Sequence, residues 1–194
     1  PPRSTHCISS AASDVYKRQV SARVVDDNMN DVPAGEVGEI VYRAPTLMQG
    51  YWNNPQATAE AFTGGWFHSG DLVRQDADGF VWVVDRKKDM IISGGENIYS
   101  IEVERVLAEH PAVTEVAVIG VPDEKWGESV KAVVTLEGDV SERELIAFAR
   151  DHLAAYKCPK SVDVVDELPR NPTGKILKKD LRKPYWEGRD RATV

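Results

Sequence analysis

The chain has 194 residues, with 24 Lys and Arg against 31 Asp and Glu, a net charge of −7 that argues against nucleic acid as the main partner. That length allows one or two domains with proper cores, and no apolar run is long enough to span a bilayer. The 2 cysteines, Cys7 and Cys158, stand far apart and near no histidine cluster, which argues against a disulfide framework or a zinc site and fits a reducing compartment; the final residues, Arg191 to Val194, are not a peroxisomal address.

Residues 1–19 do not read like the rest. They are Ser-rich, lack apolar periodicity and carry no signal-peptide core. They are expected to be a foreign, poorly ordered leader on an incomplete chain. Val20 to Val25 predicts a strand, Asp26 to Asn30 and Pro33 to Gly38 are turns, and Glu39 to Arg43 has strand alternation. Asn54-Pro55 is a helix start, with Asn as cap and Pro at the first helical position, for a helix over Gln56 to Phe62. Leu72 to Arg74 and Phe80 to Val84 read as strands joined by the hairpin turn Asp76-Ala77-Asp78-Gly79. This half is antiparallel β structure with one short helix.

Asp85 to Asp89 is a run of five charged residues that cannot be buried unpaired. Gly94-Gly95 then lets the backbone take positive φ and approach a ligand closely. The stretch reads as a hinge or binding edge, or equally as an ordinary solvated linker. Beyond it, Ser100 is placed to cap a helix carrying Val103, Val106 and Leu107 on one face, stopped by His110-Pro111. Val113 to Gly120 and Val130 to Leu136 are predicted strands, the first a buried one. Ser141 and Glu144 form a capping box for a helix with Leu145, Phe148, Ala149 and Leu153 on one face. Ser161 to Val165 is a third strand, Glu167 to Lys175 a loop, and Lys178 to Lys183 a final helical turn. Three strands and two main helices make an α+β domain.

Residue types that can carry chemistry are few. Lys175, behind Thr173-Gly174, is a point charge for a phosphate or carboxylate, or simply a solvated loop lysine. Asp71 in Ser69-Gly70-Asp71 can accept hydrogen bonds from paired sugar hydroxyls, or is a turn aspartate. His68 is a possible base but reads better as a surface histidine beside Trp66 and Phe67. Asp123 to Glu128 is a partner surface or a strand-connecting loop. No Ser-His-Asp triad or metal constellation can be assembled.

Four motifs in order resemble the C-terminal part of the adenylate-forming (acyl-CoA synthetase, AMP-binding) superfamily over about Val20 to Arg182. Gly35 to Ile40, with Gly50 to Pro55 and Thr58 to Phe62, resembles its β-barrel segment. Trp66-Phe67-His68-Ser69-Gly70-Asp71 resembles its ribose-binding motif, Asp85 to Glu104 its hinge and glycine loop, and Leu168 to Ile176 its catalytic-lysine loop. The wording Asp89 to Ile98 is most like fatty-acyl-CoA ligases.

The resemblance implies an α+β fold in two parts. One is the end of a large N-terminal domain, an antiparallel β-barrel-like segment over 20–87. The other is a small mobile C-terminal domain with a three-stranded sheet and helices over 88–183, followed by a tail over 184–194. It implies that Asp71 and Arg86 contact the nucleotide, with Lys88 and Lys175 also at the ATP/AMP site. Lys88 is the hinge, Gly94 and Gly95 line the path of the CoA arm, and Lys175 is catalytic. Co-substrates would be ATP and coenzyme A, with Mg2+ held mainly by the part that the resemblance places before residue 20; no metal ligand is assigned within this chain. The implied activity is AMP-forming activation of a carboxylic, most readily fatty, acid and its transfer to CoA in the cytoplasm, with this piece inactive by itself. A domain loading a carrier protein and a non-catalytic binding module are the competing functions. No nucleic acid or membrane partner is expected.

Overall fold

A computed structural model describes residues 20–189, which fall into two compact units meeting between Val83 and Val84. The expected leader, Cys7 and residues 190–194 of the expected tail lie outside the described residues.

In the first unit, β1 (Ser21–Val25), β2 (Val37–Arg43), β3 (Phe67–Gln75) and β4 (Val81–Arg86) lie in the order β1-β2-β3-β4. The β1/β2 and β2/β3 pairs are antiparallel. Val24, Ile40 and Val73 are the buried centre, with Val32 and Tyr42 packed against them. Helix α1 (Pro55–Ala61) begins as expected, with the Asn54 side chain accepting from the Ala57 amide. β3 is longer than predicted: Phe67 and His68 lack an alternating pattern but pair with Tyr42 and Val41 across the ladder. On β4 and just before it, Phe80, Val81, Trp82 and Val83 are all exposed, by 60, 41, 54 and 66%.

The second unit contains the end of β4, then β5 (Ile91–Ser93), β6 (Glu96–Ile98), α2 (Ser100–Leu107), β7 (Val113–Asp123) and β8 (Gly127–Leu136). It continues through α3 (Glu142–His152), β9 (Ser161–Val164) and α4 (Lys178–Trp186). β8 is central. β7 runs antiparallel along it, β5 meets it at Ser93–Gly127, and β9 lies parallel to Lys131–Val134. The sheet therefore has five strands, not the three predicted. The two additional ones form a hairpin over the expected glycine loop; each is three residues long, too short for an alternating pattern, yet each buries an isoleucine completely, Ile91 and Ile98.

Successive residues of a strand face opposite sides, and both sides of β7 are covered. Val118 belongs to the core with Val103 and Leu107 of α2 and Leu145 and Ala149 of α3. Ala117, Ile119 and Val121 pack on the other side with Leu168 and with Leu181 and Tyr185 of α4. That double cover is why β7 reads as a continuous apolar run. The Ser141–Glu144 capping box is present, with both reciprocal bonds. Ser100, in contrast, is not a cap: Tyr99 precedes the first turn without a side-chain cap bond, and the Ser100 hydroxyl donates instead to Asp85 Oδ2 at 2.8 Å. α4 runs past Lys183 to Trp186 despite Pro184 within it. Its end is fixed by the Trp186 indole N–H donating to the Gly120 carbonyl at 3.0 Å.

The Tyr185 hydroxyl donates to Asp163, which also accepts from Lys131 at 2.5 Å. Burial first, then the bond to Asp163, pushes Tyr185 from its ordinary 10.0 up to about 12. Both the folded and unfolded states keep the phenol proton below pH 10.0, and between that value and about 12 only the folded state does. The contribution is therefore complete below the unfolded value and is lost as pH rises through the folded one. Urea midpoints across that window are expected to fall more steeply for the natural chain than for Tyr185→Phe; parallel curves would contradict this.

Candidate active site

Asp71 sits in a bulge of β3. Between the partners Val41–His68 and Glu39–Leu72, β2 supplies only Ile40 whereas β3 supplies Ser69, Gly70 and Asp71. Such a bulge re-aims side chains at the edge of a ladder. Gly70 adopts φ 71° there, and its amide donates to Glu39 Oε1 at 3.0 Å. The Ser69 hydroxyl donates to the Ile40 carbonyl at 2.6 Å and accepts from the Asp71 amide at 3.0 Å. Glu39 is only 5% exposed and needs such partners; its other oxygen faces His68 Nδ1 at 3.0 Å. His68 is thus not the surface histidine that the sequence suggests: its second nitrogen faces the Thr63 carbonyl at 3.3 Å, so both nitrogens are occupied in holding the loop. The charge of Asp71, after burial, helps push the nearby Tyr42 phenol up.

The other predicted residues lie in the second unit. Arg86, Lys88 and Asp89 belong to a tight turn. A single 3-10 turn spans Lys87–Asp89, closed by the Met90 amide donating to the Arg86 carbonyl at 3.0 Å. Arg86 and Lys88 are exposed, while Asp85 is 1% exposed.

Gly94 and Gly95 are the two-residue tip of the β5–β6 hairpin, since Ser93 pairs with Glu96. Their φ values of 62° and 87° suit a turn of the primed type, which matches strand twist. Gly94 lies on the face of Trp126: its amide donates to the Trp126 carbonyl at 2.8 Å, and a Cβ there would stand 2.6 Å from the indole. Gly95 has nothing within 4 Å of an added Cβ. Trp126 is 43% exposed, with the Lys125 and Lys160 ammonium groups 4.6 and 5.4 Å from its ring. Asp123 braces this corner, accepting from the Lys125 and Trp126 amides and from Lys160. Its carboxyl is held below the usual range, chiefly by the bond from Lys160. Trp126 was legible only as part of an unassigned loop; its role under the glycine hairpin depends on strand register.

Left-handed φ costs a non-glycine residue about 1–2 kcal/mol. Both Gly94→Ala and Gly95→Ala are expected to lose about that much, and Gly94→Ala a further ~1–3 kcal/mol because its methyl meets Trp126. Denaturation midpoints check the order; equal losses would contradict the packed hairpin.

Lys175 is presented by a turn built on Asn171. Its Oδ1 accepts from the Thr173 amide at 3.1 Å, the Thr173 hydroxyl at 2.8 Å and the Lys175 amide at 2.8 Å. Asn171 also donates through its own amide to the Lys175 carbonyl at 2.9 Å. Arg170 braces the turn from outside, bonding the Gly174 carbonyl and Glu115. The backbone on either side of Lys175 is therefore fixed, while its side chain is exposed and bonds none of the described residues. Among the described residues no group of three or more His, Cys, Asp or Glu is placed to hold a metal ion, and no helix is long and apolar enough to cross a membrane.

Residues 102–175 match the family model of the AMP-binding enzyme C-terminal domain. The chain is 52% identical over 169 residues to a feruloyl-CoA synthase of an Amycolatopsis species, covering 84% of this chain and 34% of that protein. It is 47% identical over 178 residues to the medium/long-chain-fatty-acid–CoA ligase FadD8 of Mycobacterium tuberculosis, covering 87% and 31%. The structure of ATP-bound MatB from Rhodopseudomonas palustris aligns with a TM-score of 0.80 at 40% identity, covering 86% of this chain and 34% of that one. The chain thus spans about a third of the length of the curated relatives it matches. With its lysine turn and glycine hairpin in one α+β unit, it belongs to the adenylate-forming superfamily and represents the C-terminal part of those enzymes.

Proposed function

We propose that this chain is the C-terminal part of an AMP-forming acid–thiol ligase, which joins a carboxylic acid to ATP as acyl-AMP and transfers the acyl group to coenzyme A. The observation that carries this is Lys175, an exposed ammonium on a turn fixed by Asn171. Adenylate formation builds negative charge on the phosphate and carboxylate oxygens, and a preorganised cation stabilises it without reorganisation. In this assignment Lys175 acts on the α-phosphate and the acyl carboxylate, and Asp71, aimed by its bulge, accepts from the ribose hydroxyls. Arg86 and Lys88 contact the nucleotide, and Gly94 and Gly95 leave a narrow path for the pantetheine arm. Lys88 is the hinge about which residues 88–183 turn between the two steps. Magnesium would enter with the ATP phosphates, held by residues outside this chain. The protein would act in the cytoplasm.

Relatives named for ferulate and for fatty acids both match this chain well, so a fatty acid is a narrower choice than the ligase class itself. The CoA-ligase names of these relatives favour coenzyme A over a carrier protein as acceptor. The test is a chimera in which residues 20–189 replace the matching third of the feruloyl-CoA synthase. Ferulate-dependent pyrophosphate release and feruloyl-CoA formation are expected. A folded chimera that binds ATP and performs neither step would overturn the proposal.

A further inference from the structure

α4 begins three residues after Lys175, and its first two turns reach the segment around Lys88 twice, once through the Ser100 hydroxyl and once directly. Lys178 Nζ donates to Ser100 Oγ at 2.7 Å and pairs with Glu104 at 2.6 Å. The Ser100 hydroxyl donates in turn to the buried Asp85 carboxylate, which also accepts from the Ile101 amide at 3.4 Å. Burial pushes the Glu104 carboxyl up, against the pull of Lys178 and of the Val118 amide. One helical turn further along, Arg182 Nη1 donates to the Lys88 carbonyl at 3.0 Å and to Asp89 Oδ1 at 2.9 Å. Arg182 and Asp89 keep only 11 and 13% of their side chains exposed.

Residues four apart share one face of a helix, and here that face addresses both sides of one backbone position. Asp85 lies before Lys88, Asp89 follows it, and the Lys88 carbonyl points wherever the ψ of Lys88 sends it. The same side of α4, through Leu181 and Tyr185 three and seven residues after Lys178, is rooted on the sheet. A change of φ or ψ at Lys88 displaces Asp85 relative to Asp89, and a helix fixed to the sheet cannot follow both.

We propose that Lys178 and Arg182 form a clamp on the hinge, holding residues 85–89 in one backbone conformation, so that turning at Lys88 requires at least one grip to let go. This rests on the assignment of Lys88 as the hinge. The two side chains are positioning residues: they tie the state of the hinge to the helix that carries the Lys175 turn. Arginine suits the second grip because one guanidinium serves a carbonyl and a carboxylate together.

The test uses the whole chain with Cys7→Ser, spin-labelled at Asp78→Cys and Glu109→Cys, two exposed positions on either side of the hinge, Cys158 being buried. The clamped chain is expected to give one dominant distance, with any second one at no more than about 10%. Arg182→Gln is expected to raise the second distance to a comparable share. Arg182→Lys, which keeps a cation for Asp89, should stay near the natural chain. Asp89→Asn weakens the same grip and decides alone if Arg182→Gln does not fold. Two well-populated distances in the natural chain, or an unchanged distribution in both Arg182→Gln and Asp89→Asn, would overturn the clamp. Adding Lys88→Pro to Arg182→Gln should restore a single distance. A distribution that stays divided there refutes Lys88 as the pivot and leaves only the restraint of Arg182 on residues 85–89.

Discussion

Lys175→Ala, introduced into the feruloyl-CoA synthase chimera, is expected to slow acyl-AMP formation by roughly 10²–10³-fold, the scale of losing one preorganised charge-stabilising group. Transfer from preformed acyl-AMP to CoA should change far less, because that step builds its charge at the acyl carbonyl under attack by the thiol and not at the α-phosphorus. The fold should survive: the side chain is exposed, and Asn171 holds the turn through backbone groups that alanine retains. Pyrophosphate release and acyl-CoA formation, each followed in a single turnover, separate the two effects. Equal losses in both would refute the assignment of Lys175 to the first step.

Lys88→Pro should have the opposite profile. Proline fixes φ near −65° and restricts the residue before it, and Lys88 lies within a turn whose closing bond runs from the Met90 amide to the Arg86 carbonyl. If the step from adenylation to thioester formation turns the chain at this residue, proline favours one arrangement. Adenylation is then expected to outlast thioester formation. Lys88→Ala removes the charge and leaves the backbone free, so it should do less. Comparable thioester rates in the two variants would show that the pivot lies elsewhere.

Much of the architecture was legible because long elements with strong patterns dominate it. The run from Val113, the capping box at Ser141 and the Asn54-Pro55 start each carry a local physical signature, and each reappears in the structure. What was not legible depends on partners distant in sequence. The strands β5 and β6 are too short for periodicity and exist because Ile91 and Ile98 are buried by the rest of the unit. Ser100 looks like a cap by residue type, but a buried carboxylate at Asp85 competes for its hydroxyl and wins. In the candidate site, Lys175, Asp71 and the glycine pair could be singled out from residue type and neighbours. Glu39, Trp126 and Arg182 could not, since each acts across 31 or more positions: on the Gly70 amide, against Gly94, and on the Lys88 carbonyl.

The apolar strand β4 bears on how such a chain behaves in a crowded solution. β4 is an outer strand of its sheet among the described residues, and four consecutive large side chains from Phe80 to Val83 face solvent. An outer strand offers unpaired amides and carbonyls, and natural edges are usually blunted by charge, proline or a bulge. Here the charges stand only at the ends, Asp76 and Asp78 in the preceding turn and the exposed Arg86 at the close, flanking the apolar stretch as gatekeepers do, while Asp85 is buried. Whatever exposes this strand during synthesis or refolding offers a template for intermolecular strand addition. Charge at its tips, rather than the stability of either core, is then what keeps such a species from assembling.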